Sequence, residues 1–347
     1  MIKVLLDMEK TSGLHTGLGM FCYHLGKSLL SKSVPDMEFG FYLPPNRLDL
    51  FGSKALVHRQ NPLHKVLFPS SIRSDVWHCC HQDSPYFPGK SIPMVLTIHD
   101  LNFMQKYSGW RREYRKMKLG KMIDRASSLV CISRQTGKHL EEVFGLSQED
   151  YQVIYNGNCL SHFSGEKKSR HQRERPFLLC LGVLSARKNA HVLCGMMAHL
   201  PDFDLILAGP PHSSYRLKIE EEARKHGVAD RVIFAGEVDE EEKFRLYQNM
   251  QALVFPSLAE GFGLPVLEAM SLGKPVFISR FGSLPEIGGE AACYWDDFQP
   301  ETMAQVVGLG MKRHYETGLE GMLRSRAALF SWEKTAEEYI RLYQITA

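Results

Sequence analysis

Residues 256–279, PSLAEGFGLPVLEAMSLGKPVFIS, hold two glutamates eight positions apart in a segment that also contains glycine and proline. On one continuous helix, eight residues turn about 800°, so Glu260 and Glu268 would point roughly 80° apart. Proline is favoured at the first helical position, so Pro265 predicts a helix that begins beside it. Glu260 then lies on the preceding loop and Glu268 about one turn inside the helix. The two carboxylates would flank a helix N-terminus, whose free N–H groups bind anions such as phosphate.

Short apolar runs alternate with helical patterns on both sides of this segment. Runs that are apolar on both faces are typical of parallel strands covered by helices. The predicted strands are IKVLL (2–6), FGFYL (39–43), MVLTI (94–98), SLVCI (128–132), YQVIY (151–155), FLLCLGV (177–183), FDLILAG (203–209), RVIFAG (231–236), ALVF (252–255) and PVFIS (275–279). The predicted helices include residues 17–30, 213–227, 240–250 and 331–344.

This alternation predicts an α/β protein with two Rossmann-like, doubly wound domains. We expect a first domain at 1–163, a charged linker at 164–175 and a second domain at 176–330. The final helix, within 331–347, is expected to pack back on the first domain. Ligands bind at the carboxyl ends of parallel strands, so the site is expected in a cleft between the domains.

Composition narrows the class of protein. The chain has 347 residues, of which 44% are hydrophobic, and a net charge of +3, which suits a two-domain globular enzyme and does not favour nucleic-acid binding. No uncharged apolar run approaches membrane-spanning length, and the start, MIKVLLDMEK, is typical of a strand rather than a signal peptide. The eight cysteines lack a C-x-x-C spacing, which predicts buried free thiols in a reducing cytoplasm.

Two loops are candidates for binding phosphate. Arg187 and Lys188 lie where the first strand of the second half leads into a helix, a place for neutralising a diphosphate, although a solvated basic turn is the alternative. Gly17 and Gly19 follow the first strand too distantly, and without the third glycine, for a dinucleotide fingerprint. They suit either a glycine loop against a phosphate or a plain flexible loop.

Two further pairs of polar residues lie near strand ends. His99 could hydrogen-bond a substrate while Asp100 fixes its tautomer, and a structural histidine is the alternative. Asp202 and Asp204 form a D-x-D spacing that some transferases use for a divalent metal. They open a strand rather than close it, which is the wrong end of the sheet, so no metal site is predicted.

The stretch 106–125, KYSGWRREYRKMKLGKMIDR, predicts a basic amphipathic helix with eight Lys or Arg. Its apolar and aromatic residues fall near one stripe, with most cations elsewhere. The stripe comprises Trp110, Tyr114, Met117 and Met122, and the cations are Arg111, Arg112, Arg115, Lys116 and Lys118. Such a helix suits an anionic membrane or a phosphate-bearing acceptor. A solvated helix that packs its stripe on the core is the alternative.

Together these motifs resemble the family 4 retaining glycosyltransferases, which have two Rossmann-like domains in the GT-B arrangement. The resemblance spans nearly the whole chain in the family's order, and the E-x7-E element is its most specific part. The matching motifs are the Gly17–Gly19 loop, VLTIHDL, LVCISRQT, VIYNGN, LGVLSARKN, FAGEV, PSLAEGFGLPVLEAMSLGKPVFIS and FSWEKTAEEY.

The resemblance implies a role for each candidate. Glu268 would accept hydrogen bonds from the ribose hydroxyls of a sugar nucleotide, while Glu260 and His99 would lie near the transferred sugar. Arg187 and Lys188 would hold the diphosphate and stabilise it as it leaves. Backbone N–H groups around Phe262, Gly263 and Leu264 and the Gly17–Gly19 loop would assist them. Many relatives carry a further arginine where this chain has Val183, so the clamp would depend on Arg187 and Lys188 alone.

The resemblance also implies a retaining reaction that needs no metal or other cofactor. The motif wording is similar to bacterial mannosyl- and rhamnosyltransferases of polysaccharide and lipopolysaccharide assembly, which favours GDP-mannose and leaves UDP-hexoses open. A saccharide or lipid-linked acceptor, a cytoplasmic location and peripheral contact with the inner membrane face are expected. A sugar-nucleotide epimerase and a non-catalytic sugar-nucleotide-binding subunit are the alternatives. A glycosidase would also pair carboxylates, but it would not need the phosphate-binding features.

Overall fold

The chain folds into two units, each built on one parallel β-sheet. The computed structural model describes residues 1–14, 16–53, 55–160, 169–171, 174–210 and 212–347. The first unit comprises Met1–Gly157 and Phe330–Ala347, and the second comprises Asn158–Leu329. The described helices include none that is long and apolar enough to cross a membrane.

Thirteen strands lie in the described residues, and all their pairings are parallel. They are β1 (Ile2–Asp7), β2 (Met37–Leu43), β3 (Leu56–Arg59), β4 (Val76–Cys79), β5 (Met94–Ile98), β6 (Ser128–Cys131), β7 (Gln152–Val153), β8 (Phe177–Leu181), β9 (Asp204–Ala208), β10 (Val232–Gly236), β11 (Ala252–Phe255), β12 (Val276–Ser279) and β13 (Cys293–Trp295). The first sheet has the order β3-β2-β1-β4-β5-β6-β7 and the second β10-β9-β8-β11-β12-β13. The predicted fold class, two Rossmann-like parallel sheets, is confirmed.

Helices connect most of the successive strands, as is usual for parallel pairing, and three more follow the last strand. They are α1 (Gly17–Ser31), α2 (Phe103–Lys106), α3 (Gly109–Arg125), α4 (Arg134–Phe144), α5 (Val192–Ala198), α6 (Ser213–Lys225), α7 (Glu240–Asn249), α8 (Leu264–Ser271), α9 (Leu284–Gly288), α10 (Pro300–Thr317), α11 (Glu320–Ala327) and α12 (Trp332–Thr346).

The last helix, α12, packs in the first unit through buried polar contacts as well as apolar ones. His78 on β4 binds the Tyr343 hydroxyl through Nδ1 at 2.6 Å, and its Nε2 lies 2.8 Å from Thr97 Oγ1. Thr97 Oγ1 in turn lies 2.8 Å from the Tyr339 hydroxyl. Burial lowers the pKa of His78 to about 3, so the ring is neutral, donates its single N–H to one of these hydroxyls and accepts a hydrogen bond from the other. The helix therefore supplies hydrogen-bond partners to His78 and Thr97, two buried side chains on strands of the first sheet.

Part of the predicted linker packs on the second unit. Ser169 Oγ donates to Glu242 Oε1 at 2.6 Å, and Arg170 N donates to the same oxygen at 2.9 Å. Of the predicted linker, 164–168 and 172–173 lie outside the described residues. The division between the units falls at Gly157, against the 163 expected from sequence.

All eight cysteines lie in the described residues and are free, and seven of them are buried, as the sequence predicted. Asp204 begins β9 at its amino end, so the D-x-D pair lies at the edge of the sheet opposite to the strand carboxyl ends.

Candidate functional site

The second sheet brings two loops together where its strand order reverses. β8 and β11 are neighbours in the sheet although they are separated by β9 and β10 in the chain, and crevices at such switch points bind ligands in doubly wound folds. After β8, Ala186–Lys188 form a single 3₁₀ turn, and after β11 a loop leads to α8. The loops are joined by a hydrogen bond from Leu258 N to Arg187 O of 2.8 Å.

Glu260 links these loops through a buried charge cluster. Its Oε1 lies 2.7 Å from Lys188 Nζ and 3.1 Å from Arg187 Nη1, and it also accepts a hydrogen bond from the Ser257 hydroxyl. The side chains of Glu260 and Lys188 are 10% and 9% exposed, whereas that of Arg187 is 36% exposed. The Lys188 ammonium also lies 4.3 Å from the centre of the Phe255 ring. The structure thus brings together three of the residues that the sequence singled out.

Burial and pairing act in opposite directions on this cluster. Burial alone would raise the pKa of Glu260, but the charges of Lys188 and Arg187 outweigh it and hold that pKa below its usual range. Burial lowers the pKa of Lys188, against the charge of Glu260, which raises it. Glu260 is therefore ionised at neutral pH and neutralises one of the two cations.

The helix N-terminus forms as Pro265 predicted. α8 begins at Leu264 with Pro265 in its first turn, Glu260 lies on the preceding loop, and Glu268 lies inside the helix. Gly263 caps the helix with a φ of 110°, a left-handed conformation that favours glycine. The first hydrogen bond of the helix is donated by Val266 N to Gly263 O at 3.0 Å, so the amide groups of Gly263 and Leu264 precede it.

Gly282 supports the loop from the next strand connection. Its Cα lies so close to Glu260 that an added Cβ would be 2.7 Å from both the backbone N and O of that residue. Ser283 adds a hydrogen bond from its hydroxyl to Glu260 O at 3.1 Å and another to Phe262 O at 2.7 Å. The backbone that carries Glu260 is therefore held from two sides.

Glu268 is 3% exposed and is held by two residues of α7 that sequence reasoning missed. Lys243 Nζ lies 3.2 Å from Glu268 Oε1, and the Tyr247 hydroxyl donates to Oε2 at 2.7 Å. Burial would lower the pKa of Lys243, but the charges of Glu268 and Glu240 raise it above its usual range. Burial and the neighbouring Glu268 raise the pKa of Tyr247, so its hydroxyl stays a donor. The i,i+4 spacing of Lys243 and Tyr247 was the available signal, but only packing shows that it faces Glu268.

In the first unit, His99 follows β5 and its ring is buried. Its Nε2 lies 2.8 Å from Cys80 O, and because a carbonyl only accepts, Nε2 carries the proton and Nδ1 is the acceptor. Burial lowers the pKa of His99 to about 4, so the ring is neutral at physiological pH. The expectation that Asp100 fixes the tautomer is wrong, since Cys80 does so and Asp100 accepts instead from Asn102 N at 2.9 Å.

The Gly17–Gly19 segment is the first turn of α1, as the predicted helix at 17–30 implied, and not the glycine loop that the sequence also suggested. Thr16 caps this helix by accepting a hydrogen bond from Gly19 N at 3.1 Å. Gly19 packs directly on the backbone of Gly13, leaving no space for a side chain. Residue 15, between these positions, lies outside the described residues.

Sequence reasoning also missed a buried carboxylate at the end of β1. Asp7 Oδ1 accepts from Gln60 Nε2 at 3.0 Å and from Glu9 N at 3.1 Å, and Oδ2 accepts from the Ser84 hydroxyl. Burial raises the pKa of Asp7 to about 6, although His81 and these donors favour the charged form. This carboxyl therefore titrates close to neutral pH.

The basic helix forms over Gly109–Arg125. The face that it buries is not the one expected in the alternative interpretation, in which the stripe packs on the core. Leu119, Met122 and Ile123 are buried, whereas Trp110, Tyr114 and Met117 are 74%, 57% and 50% exposed. That alternative is wrong for these three residues. Four of the five cations have a described contact within the first unit. Arg112 pairs with Glu113, Arg115 contacts Asp83 and the Tyr107 ring, and Lys116 lies over the Phe144 ring, whereas Arg111 lies over the neighbouring Trp110 ring.

Two relatives illustrate what the chain resembles. The O-antigen chain mannosyltransferase B of Escherichia coli is 26% identical, and the match covers 99% of this chain and 100% of the relative. The serotype-specific mannosyltransferase WbdA of Escherichia coli is 28% identical over 76% of this chain. The match covers 36% of that WbdA, so the chain spans about a third of its length.

Two solved structures share the fold. The HepE protein of Anabaena, in complex with UDP and glucose, has a TM-score of 0.78 at 17% identity, covering 99% of this chain and 100% of that one. Sucrose-phosphate synthase from Thermosynechococcus elongatus has a TM-score of 0.74 at 20% identity, covering 99% and 98%.

Two family models divide the chain between them. The model for Glycosyltransferase Family 4 matches residues 39–160, and that for Glycosyl transferases group 1 matches residues 164–305, which includes Glu260, Glu268 and both cations. The chain therefore belongs to the family 4 glycosyltransferases of the GT-B fold class.

Proposed function

We propose that this protein transfers a hexose from a sugar nucleotide to a saccharide or lipid-linked acceptor in the assembly of a cell-surface polysaccharide. The observation that carries this proposal is the cluster of Lys188, Arg187 and Glu260 at the switch point of the second sheet, next to the N-terminus of α8. Two cations and a helix N-terminus suit a diphosphate, and a buried carboxylate inside the helix, Glu268, suits ribose hydroxyls.

Glu260 acts in this proposal as the resting partner of the cations. A bound diphosphate would replace it as the counter-ion of Arg187 and Lys188, because phosphate oxygens accept several charge-assisted hydrogen bonds. Arg187 is the more exposed of the two cations and meets the diphosphate first, while Lys188 stays close to Glu260. Charge grows on the diphosphate as the glycosidic bond breaks, so these cations stabilise the transition state more than the bound donor.

The donor end of the site depends on Glu268. Lys243 and Tyr247 occupy one lone pair on each of its oxygens, and a carboxylate oxygen has two, so a pair of ribose hydroxyls can still donate to it. The hydrogen bonds from α7 hold the carboxylate in one orientation before the nucleotide arrives.

The chemical details follow the family resemblance. We propose that the donor is GDP-mannose, that the sugar keeps its anomeric configuration, and that neither a metal nor another cofactor takes part. The mannosyltransferases among the relatives support the choice of sugar, and the UDP in the HepE structure keeps UDP-hexoses as the competing donors. His99, neutral and with Nδ1 as its acceptor, would receive a hydrogen bond from a hydroxyl of the transferred sugar.

A donor screen tests the class of reaction. The full chain is incubated with GDP-mannose or a UDP-hexose, with and without mannoside or lipid-linked saccharide acceptors, and with EDTA in parallel. Acceptor-dependent release of the nucleoside diphosphate, unaffected by EDTA and with the anomeric configuration kept in the product by NMR, is expected. Conversion of the donor without acceptor would instead favour an epimerase, and nucleotide binding without turnover a binding subunit.

A matched pair of variants tests the site itself. Glu268→Gln keeps the shape of the side chain but removes the charge, whereas Glu301→Gln makes the same change at an exposed position on α10. Calorimetry should show weaker nucleotide binding for Glu268→Gln by about 1.5 kcal/mol or more and no change for Glu301→Gln. Equal affinities in both variants would refute the assignment of Glu268 to the ribose.

A further inference from the structure

A cavity of about 340 Å³ in the second unit is lined by residues of α7, α10, α11 and the segment that follows α8. That volume is within the range of small-molecule sites. Lys274, in the wall of the cavity, precedes β12, whereas Glu260 follows β11. The cavity therefore lies at the amino ends of these parallel strands, away from the site proposed for the sugar nucleotide at their carboxyl ends.

Three basic side chains line the cavity together with one carboxylate. The basic residues are Lys274, His314 and Arg324, and Glu320 is the one acidic residue among the described residues of the lining. Glu320 Oε1 lies 2.6 Å from Arg324 Nη2. Burial lowers the pKa of both Lys274 and His314, and in each case the charge of Glu320 opposes this. One carboxylate is thus shared among three basic groups, so the cavity can accept an anion with up to two negative charges.

Backbone carbonyls at the ends of helices hold two of these basic side chains in place. Lys274 Nζ donates to Met250 O at 3.0 Å, and Arg324 Nη2 donates to Leu272 O at 3.2 Å. An ammonium has three N–H groups, and among the described residues Met250 O is the acceptor that the structure gives Lys274. The other two N–H groups of Lys274 are therefore available to a ligand, and the position of the ammonium is fixed before the ligand binds.

Two buried polar atoms of the lining residues have no hydrogen-bond partner among the described residues. They are Gln248 Oε1 and His314 Nδ1. Buried polar atoms in folded proteins nearly always have a partner, so each such atom indicates a bound water, ion or ligand. Gln248 Oε1 is an acceptor and needs a donor such as a hydroxyl, whereas a protonated His314 Nδ1 would donate to an anion.

The chemistry of the lining favours one class of ligand, a phosphorylated sugar. The basic side chains suit a phosphate, while Gln248 Oε1 and the exposed carboxylate of Glu320 suit hydroxyl donors. The buried Phe244 ring in the wall offers an apolar surface to the carbon skeleton. A free sugar would satisfy the acceptors and leave the basic groups without an anion, and inorganic phosphate would do the reverse.

We propose that this cavity binds a free phosphorylated sugar, a phosphate monoester, with its phosphate held by Lys274, His314 and Arg324 and its hydroxyls donating to Gln248 and Glu320. A monoester carries nearly two negative charges at neutral pH, which matches the excess of basic groups. None of these residues is assigned to the sugar nucleotide, so the proposal stands whether or not the proposed transfer reaction is correct.

Calorimetry of the full chain tests the site, with mannose 6-phosphate as the probe and mannose and inorganic phosphate as its two parts. We expect mannose 6-phosphate to bind at least about tenfold more tightly than inorganic phosphate, because only the whole molecule satisfies both sets of groups. Because phosphate could also enter the site proposed for the diphosphate, the titrations are repeated with Arg187→Gln, which should bind mannose 6-phosphate like wild type. Absence of binding to wild type, or loss of binding in Arg187→Gln, would overturn the proposal.

A phosphodiester probe distinguishes a free metabolite from a sugar phosphate inside a polymer or lipid. Mannose 6-(methyl phosphate) has one negative charge and one blocked oxygen. It should bind at least about tenfold more weakly than the monoester, since a charge-assisted hydrogen bond is lost. Equal affinities for the two probes would overturn the assignment to a free monoester.

Variants of two lining residues test the two halves of the ligand. Lys274→Gln removes a cation and should weaken mannose 6-phosphate binding by at least about tenfold. Gln248→Leu removes an acceptor for hydroxyls, so it should weaken mannose 6-phosphate by at least about threefold and leave inorganic phosphate unchanged. The matched control is Lys312→Gln on α10, an exposed cation paired with Glu316 at i,i+4 and about 200° around the helix from His314, which should bind like wild type.

Stability measurements separate a lost ligand contact from a damaged fold. Lys274 also donates to Met250 O, so the melting temperature of each variant is measured without ligand. Lys274→Arg returns the charge and should restore part of the affinity. If folded Lys274→Gln binds mannose 6-phosphate like wild type, the cavity is not its site. If Gln248→Leu weakens mannose 6-phosphate and inorganic phosphate equally, the assignment of hydroxyls to this residue is wrong and the ligand class is overturned.

Discussion

Removing Lys188 should leave the buried charge of Glu260 only partly compensated, and the effect can be measured as a coupling energy. Lys188→Met keeps most of the aliphatic side chain but removes the ammonium, which lies 2.7 Å from Glu260 Oε1 and 4.3 Å from the centre of the Phe255 ring. Loss of one partner of a buried ion pair costs about 3–5 kcal/mol. Arg187 at 3.1 Å and the Ser257 hydroxyl remain on the carboxylate, so we expect the lower end, about 3 kcal/mol.

Glu260→Gln in the Lys188→Met background removes the stranded charge, so the double variant should be more stable than Lys188→Met alone. We expect a coupling energy of about 2 kcal/mol, within the range for contacting residues. Urea unfolding is measured without nucleotide. Hydrogen exchange of peptides from β8 and β11 reports the unfolding of the second unit alone. If the two single-variant costs simply add in the double variant, the pair contributes no coupling and the counter-ion role of Glu260 is refuted.

Three other changes test neighbouring contacts. Tyr247→Phe removes the hydroxyl 2.7 Å from Glu268 Oε2 and should weaken nucleotide binding in calorimetry by about 1.5 kcal/mol, and unchanged affinity would mean that this bond does not orient the carboxylate. Gly282→Ala should lower both the melting temperature and nucleotide affinity, because its Cβ would lie 2.7 Å from the backbone of Glu260, and a variant with wild-type values would contradict that close approach. Asp7→Asn removes a carboxyl whose pKa burial raises from 3.8 to about 6. The folded state therefore binds this proton more tightly than the unfolded state, and the stabilisation that the bound proton gives is lost as the pH rises through about 6. Denaturant unfolding from pH 4 to 7 should show wild type losing about 2 kcal/mol relative to the variant, whereas parallel pH profiles would exclude a raised pKa.

The three strands that the sequence did not predict were missed for two physical reasons. β3 (LVHR) and β13 (CYW) are edge strands that contain only two and three consecutive apolar residues, too few to give a periodic pattern. β4 (VWHC) is central and fully buried, yet it contains His78, a residue that interrupts an apolar pattern. That histidine is tolerated because Tyr343 and Thr97 bind its ring, and Tyr343 is 265 residues away in sequence. A local sequence pattern cannot indicate a partner that is so distant in the chain.

Some features of the candidate site could likewise be predicted from local sequence, and others could not. The positions of Glu260 and Glu268 relative to α8 follow from one proline, because helix starts obey local stereochemistry. The pairing of Glu260 with Lys188 joins residues 72 positions apart and follows only from β8 and β11 being neighbours. The Gly17–Gly19 segment has two interpretations from sequence, a glycine loop and the start of a helix, and the helix forms because Thr16, a good N-cap, starts it ahead of both glycines.

Because α12 contacts β4 and β5, the first unit can complete its folding only after α12 has been synthesised. Thr97 and its partner Tyr339 are 242 residues apart, which corresponds to about 10–50 s of translation at roughly 5–20 residues per second. During that interval the second unit can be synthesised and fold, because all its residues lie between Thr97 and Tyr339 in the sequence. His78 and Thr97 meanwhile lack the tyrosine hydroxyls that later bind them, so the first unit is completed last although its sheet is synthesised first. We therefore expect the first unit to be the part of the nascent chain that needs protection from aggregation.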